Sequence, residues 1–231
     1  MPARIITPPD FLADPAAQLE PAPAPGPGSQ SAVWLVRHGE VHSDWHGRAY
    51  GDHDVPLSTI GEEDTHAMAA AFRGRELAGV RASPLQRALA MGRAIADAAG
   101  APLVVDPRIK EIWRGEWQGI AAPEFRSRWE EDRVRFLADP WNWKAHGGES
   151  DADVFARAWP ALVESTRAAA GATTVLACHY NVIRVLVTRA LRLPLARSFA
   201  FRCDPGHAVL LVDEKDGWQL ERANVRGPTA Q

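Results

Sequence analysis

The chemistry of this chain is concentrated in the run Arg37-His38-Gly39-Glu40, which follows directly on the apolar stretch Val33-Trp34-Leu35-Val36. The apolar stretch reads as a buried strand, so its carboxyl end presents a guanidinium, an imidazole and a glycine in succession. In an open α/β sheet that end of a strand is where ligands bind. Arginine is a planar fork suited to phosphate. Histidine is among the side chains that form covalent phosphoryl intermediates, and glycine lets backbone come close to a ligand. Three further segments hold side chains of the same kinds: Ala82-Ser83-Pro84-Leu85-Gln86-Arg87-Ala88, Lys110-Glu111-Ile112-Trp113-Arg114-Gly115-Glu116-Trp117-Gln118-Gly119 and Val175-Leu176-Ala177-Cys178-His179-Tyr180-Asn181-Val182-Ile183-Arg184. Together they offer what hydrolysis of a phosphomonoester demands. Cations and oriented N–H donors must surround a nearly dianionic phosphate, beside a nucleophile and a proton for the departing oxygen.

The elements that position these residues follow from periodicity and caps. A strand over 33–37 leads into a long loop to residue 57. Ser58 is a helix N-cap, with Glu62, Glu63 and Asp64 in the early turns of a helix reaching about Arg73. A short strand follows near Val80-Ala82. Pro84 opens a helix over about 84–99, stopped by Gly100 and Pro102, and Leu103-Val105 is a strand. Ser150 with Asp153 makes a capping box for a helix over 151–170. Thr173-Ala177 is a buried strand, 180–191 a helix, and 207–213 with 217–222 a hairpin turning at Asp216-Gly217. The alternation predicts α/β: a three-layer α/β/α sandwich with a mostly parallel central sheet. Residues 108–148, with Trp113, Trp117, Trp129, Trp141 and Trp143, break the rhythm and are expected to form a small, partly helical inserted cap.

These four segments, in this order, resemble the histidine phosphatase superfamily, the phosphoglycerate-mutase-like proteins, over roughly residues 32–222. Glu111, Gly115, Trp117 and Gly119 reproduce a Glu-x-x-x-Gly-x-Trp-x-Gly stretch. Arg48-Ala49-Tyr50-Gly51 with Pro56-Leu57-Ser58 and Gly61 matches the segment after the first motif, and Gly148-Glu149-Ser150 a Gly-Glu-Ser element. The resemblance implies that His38 is the phosphorylated nucleophile and that Arg37, Arg87 and His179 complete the phosphate pocket. It further implies that Glu111 is the general acid and later the general base. Arg48, Gly39, Asp44 and Tyr180 are the expected substrate-binding residues. His179 lies between a strand and a helix, so N–H groups beside it are expected to face the anion. The chain departs from the family at Asp44, where asparagine is frequent, at Cys178 and Tyr180 flanking the second histidine, and at Met91. Glu116 competes with Glu111 for the acid role.

Within the family, the short insertion together with Gly-Glu-Ser looks similar to the alpha-ribazole and broad-specificity phosphatases. The activity implied is a metal-independent phosphomonoesterase acting on a small phosphorylated metabolite. The alternatives are a phosphoglycerate-type mutase, with Arg108, Lys110, Arg114, Arg126 and Arg128 as extra cations, and a non-catalytic phospho-ligand binder. No cofactor is expected. His42, His46, His53 and His146 fit no metal-ligand spacing.

Composition bounds the rest. The 231 residues suffice for one large domain, here 32–224, between a Pro/Ala-rich flexible tail over 1–31 and a disordered tail over 225–231. A net charge of -3 without a basic stripe argues against a nucleic-acid partner. No apolar run of membrane-spanning length and no signal-peptide pattern is present, so no membrane partner is expected. Two cysteines, Cys178 and Cys203, make no disulfide framework. A cytoplasmic monomer or homodimer is the expectation.

Overall fold

The computed structural model describes residues 30–144, 146–214 and 217–228. The proline-rich segment through residue 29, Asp216 of the hairpin turn and residues 229–231 lie outside the described residues. Six strands, β1 (Ser31–Arg37), β2 (Gly79–Ala82), β3 (Leu103–Val105), β4 (Thr173–Cys178), β5 (Ala208–Glu214) and β6 (Gly217–Val225), form one sheet in the order β3-β2-β4-β1-β5-β6. Strands β1 and β4, β2 and β4, and β2 and β3 run parallel, while β5 is antiparallel to β1 and to β6. The carboxyl ends of β1 and β4 therefore lie side by side, with Arg37 in register with Cys178. That pairing brings the segments that carry His38 and His179 together.

Six helices flank the sheet or cap it: α1 (Thr59–Ala71), α2 (Gln86–Ala99), α3 (Ala122–Arg128), α4 (Glu130–Ala138), α5 (Asp151–Ala169) and α6 (Tyr180–Ala190). Alternation along the strands builds a core on each face. Val33 and Leu35 of β1 and Leu176 of β4 pack with Val154, Leu162, Ile183 and Leu186 of α5 and α6. Trp34, Val36, Val175 and Ala177 face the other way, onto Met68, Phe72, Met91 and Ile95 beside and within α1 and α2. Helices α3 and α4 lie in the segment between β3 and α5, where a cap was expected. No helix among the described residues is long and apolar enough to cross a membrane.

The caps act as their sequences require. The Ser58 side chain accepts from Gly61 N, and Ser150 and Asp153 form the reciprocal capping box of α5. Three boundaries differ from expectation. Helix α2 starts at Gln86 rather than Pro84, because Leu85 is extended at the N-cap and the Ser83 hydroxyl engages Leu85 N at 3.3 Å. The cap is supplied from a distant loop, where Asp54 accepts from Gln86 N at 2.7 Å. The carboxyl tail does not begin at 225: Val225 closes β6 opposite Ala208, and Arg226 pairs with Asp64 at 3.4 Å. At the other end, Ser31 is already part of β1, in register with Asp213.

Asp213 on β5 is 4% exposed, and its Oδ1 finds no hydrogen-bond partner among the described residues. Burial pushes its carboxyl up to about 6 from an ordinary 3.8. A raised folded-state value means that the native chain binds the proton more tightly than the unfolded one. The contribution is fully present below about pH 4 and is lost as pH rises through 6. Asp213→Asn should therefore stabilise the protein at pH 8 by about 1–3 kcal/mol and much less at pH 4. Urea unfolding of both proteins at the two pH values checks this; an equal difference at both removes the ionisation as its cause.

Candidate active site

At the end of β1 the chain leaves the sheet with His38 buried, 1% exposed. Its backbone is fixed on both sides, His38 N donating to Cys178 O at 3.3 Å and Gly206 N to His38 O at 2.9 Å. The ring Nδ1 lies 2.7 Å from Gly39 O, and Arg87 Nε donates toward Nε2 at 3.3 Å. A carbonyl only accepts and a guanidinium only donates. The pattern therefore assigns the proton to Nδ1 and the lone pair to Nε2, where Arg87 meets it. His38 titrates well below 6.5, first because burial penalises the charged ring and then because Arg87 and Arg37 are close.

His179 is the N-cap of α6 and 0% exposed, its ring centroid 5.2 Å from that of His38. Its Nε2 meets the Ser83 hydroxyl at 2.8 Å, while Nδ1 has no partner among the described residues. Burial, Arg87 and His38 hold this ring well below 6.5 as well. Arg87, in the first turn of α2, is 0% exposed. It donates to His53 O at 2.6 Å and Gly51 O at 2.9 Å, and lies over the Tyr50 ring. Arg37 donates to Cys203 O at 2.7 Å, leaves Nε without a partner among the described residues, and lies 5.3 Å from the Tyr180 ring centroid.

Glu111 is 6% exposed, and both of its carboxylate oxygens accept from backbone. Ile112 N donates to Oε1 at 2.9 Å, and Asn181 N, in the first turn of α6, to Oε2 at 3.5 Å. Part of the helix terminus expected to face the anion thus holds this carboxylate instead. Arg157 of α5 fixes the backbone around it, donating to Arg108 O, Lys110 O and Glu111 O while pairing with both oxygens of Glu149. Glu149 also accepts from Trp113 N. Glu116, the competing acid, is exposed on a short turn.

His38, His179, Arg37, Arg87 and Glu111 thus converge from four separate segments. The four expected substrate-binding residues are placed differently. Gly39 abuts α1: a Cβ there would sit 2.2 Å from Gly61 O. Its missing side chain serves that close approach of backbones. Asp44 is exposed and paired with His42 at 3.3 Å. Arg48 is also exposed, tying Asp44 O to Gly119 O. Tyr180 donates its hydroxyl to Phe201 O at 3.0 Å and offers its ring to Arg37, so it positions a cation. Ser83, Asn181, Glu149 and Arg157 lie inside the quoted motifs or near them, but only the folded contacts reveal their parts. No group of three or more His, Cys, Asp or Glu side chains is placed to hold a metal ion among the described residues.

Residues 33–226 match the model of the histidine phosphatase superfamily, branch 1. The chain belongs to that superfamily. Relatives include a glucosyl-3-phosphoglycerate phosphatase of Mycolicibacterium vanbaalenii, 33% identical over 70% of this chain and 74% of that protein. Another is phosphoserine phosphatase 1 of Hydrogenobacter thermophilus, 30% identical over 78% of this chain and 86% of that protein. Among solved structures, a mycobacterial glucosyl-3-phosphoglycerate phosphatase complexed with VO3 superposes with a TM-score of 0.76 at 26% identity, covering 84% of this chain and 99% of its own. A putative alpha-ribazole-5'-P phosphatase of Escherichia coli shares the fold, with a TM-score of 0.74 at 21% identity over 88% of this chain and all of its own (100%).

Both histidines have depressed values, so the native state binds fewer protons than the unfolded one. Their contribution to stability is present above about pH 6.5 and is lost as pH falls below it. Histidine ring signals followed by NMR should keep three rings, those of His38, His146 and His179, neutral from pH 8 to about 5.5, where an ordinary histidine is mostly charged. Mutation to glutamine at 38 and at 179 assigns those two; titration of either ring near 6.5 contradicts the burial assignment.

Proposed function

We propose that this histidine phosphatase superfamily member is a metal-independent phosphoric monoester hydrolase acting on a small phosphorylated metabolite through a phosphohistidine. The observation that carries the reading is the neutral His38 ring with its Nε2 lone pair held beside Arg87, a buried guanidinium without a carboxylate partner. Nε2 attacks phosphorus. The ester oxygen leaves with the proton of the Glu111 carboxyl, and Arg37 and Arg87 balance charge on the phosphoryl oxygens. Glu111, now a carboxylate, takes a proton from water, whose oxygen displaces His38 and releases inorganic phosphate. The named phosphatase relatives support hydrolysis as the outcome.

A mutase needs extra cations for a bisphosphate. Arg108 is paired with Asp106 and Glu164, Lys110 with Asp52 and Arg128 with Glu124, so three of the five candidate cations are engaged by carboxylates, while Arg114 and Arg126 form no ion pair with a described residue. The two unpaired buried thiols, Cys178 and Cys203, suit a reducing cytoplasm.

A phosphomonoester panel assayed in EDTA should show turnover by the wild type and a loss of about 10³-fold or more in His38→Ala. Turnover only with a bisphosphate primer would replace the hydrolase by a mutase, and no turnover of any ester would favour a binder. Because Arg157 fixes the backbone of the general acid, Arg157→Lys should lower kcat about 10–100-fold for alkyl phosphates. It should lower kcat far less for p-nitrophenyl phosphate, whose leaving group needs no proton. Equal losses on both would make Arg157 a residue of general stability.

A further inference from the structure

The loop that cradles Arg87 also touches the segment of the general acid. On one side, Gly51 O and His53 O accept from Arg87 at 2.9 and 2.6 Å. On the other, Gly51 approaches the acid segment so closely that a Cβ would sit 2.8 Å from Ile112 O, and its backbone is left-handed at φ 46°. Between these contacts stands Asp52, its side chain 23% exposed. Its Oδ2 pairs with Lys110 Nζ at 3.1 Å, and its Oδ1 accepts from Gln118 Nε2. The oxygen of the same Gln118 amide accepts from Arg114 N at 3.0 Å. Lys110 immediately precedes Glu111, and Arg114 follows it by three residues. One carboxylate thus grips the acid segment on both flanks, through charge-assisted hydrogen bonds.

Two clamps hold Glu111, and they tie it to different bodies. Arg157 fastens the carbonyls of Arg108, Lys110 and Glu111 to α5. Asp52 fastens the same segment to the loop whose carbonyls hold Arg87. The first clamp fixes the acid against the scaffold; the second relates it to the guanidinium that grips the phosphoryl group. Asp52 makes no hydrogen bond to Arg87, whose acceptors are two carbonyls and a ring nitrogen. The Arg87 loop has its own anchor in Asp54, which accepts from Gln86 N and whose carbonyl accepts from Gln86 Nε2, both at 2.7 Å. Removing Asp52 therefore loosens the acid more than the phosphate pocket.

We propose that Asp52 is a positioning residue for the general acid: it sets the Glu111 carboxyl at the leaving oxygen of a phosphate held by Arg87. The inference rests on the hydrolase reading above and adds a residue to it. A displacement of about 1 Å is enough to cost a reacting group much of its effect.

A series of phosphomonoesters with leaving groups from p-nitrophenol to an alkyl alcohol tests it. Wild-type kcat/KM should depend weakly on leaving-group pKa, because an acid assists departure. In Asp52→Ala the dependence should steepen, with about 10–100-fold lost on the alkyl ester and less than about 3-fold on p-nitrophenyl phosphate. Asp52→Asn keeps an acceptor for Gln118 but not the ion pair with Lys110, and should fall between. Inhibition by inorganic phosphate should change by less than about 3-fold in either variant, since binding of the phosphate and proton transfer are separate terms. Gln118→Leu should steepen the dependence as well, and the double variant Asp52→Ala/Gln118→Leu should lose less than the product of the single losses, as members of one unit do. An unchanged slope in Asp52→Ala overturns the assignment. Equal losses across the series make Asp52 a residue of general stability, and phosphate inhibition weakened about tenfold or more makes it part of the Arg87 pocket; either overturns it too. Wild type that hydrolyses no ester of the series sinks the hydrolase reading, whereas wild-type turnover with a slope that Asp52→Ala leaves in place sinks Asp52 alone.

Discussion

A guanidinium held out of water without a carboxylate is the constraint on which the site turns. Arg87 is 0% exposed, and its partners are two carbonyls and a neutral ring nitrogen. Isolated charges of this kind are among the most costly groups to bury. The surrounding fold must therefore supply every acceptor, and it does so from a loop far away in sequence. The 50–54 stretch gives Gly51 O and His53 O to Arg87, and Asp54 to the amide that opens its helix. The same charge helps hold both histidines neutral, so the cationic pocket preserves the lone pair that the chemistry uses.

Elsewhere the arginines near the site divide into two kinds. Those that hold the scaffold have carboxylates: Arg184 with Asp151 at 2.6 Å, Arg157 with Glu149 at 2.7 Å, and Arg81 and Arg108 with Asp106. Arg37, Arg48, Arg87 and Arg114 form no ion pair with a described residue, and they use neutral acceptors. A cation balanced by a fixed acid contributes geometry. A cation balanced only by dipoles keeps its field for an incoming anion, as electrostatic preorganisation requires.

The fold was legible because its signals are local. Apolar strand runs, Ser58, the Ser150–Asp153 box and Gly100 each state a boundary within a few residues. The phosphate-facing set was legible for a different reason, since Arg37-His38 and Arg87 sit in motifs whose side chains have few other uses. Arg157 was not legible. It lies in mid-helix, and its meaning is the backbone of residues 108–111, nearly fifty positions away, which no periodicity encodes. Arg48 and Asp44 are placed away from the buried phosphate residues. Their expected substrate role came from the family resemblance, whereas in the folded chain both side chains are exposed on the loop that turns through Gly47 at φ 67°.

Glu111 unites the two halves of the design. A group that must donate a proton in one step and accept one in the next cannot be locked in either state. Its oxygens rest on two backbone amides, one of them in the first turn of α6. Arg157 and Glu149 fix the segment from behind, so the carboxyl keeps one place through both steps. Departure of the neutral alcohol after the first transfer leaves room for water at the same oxygens.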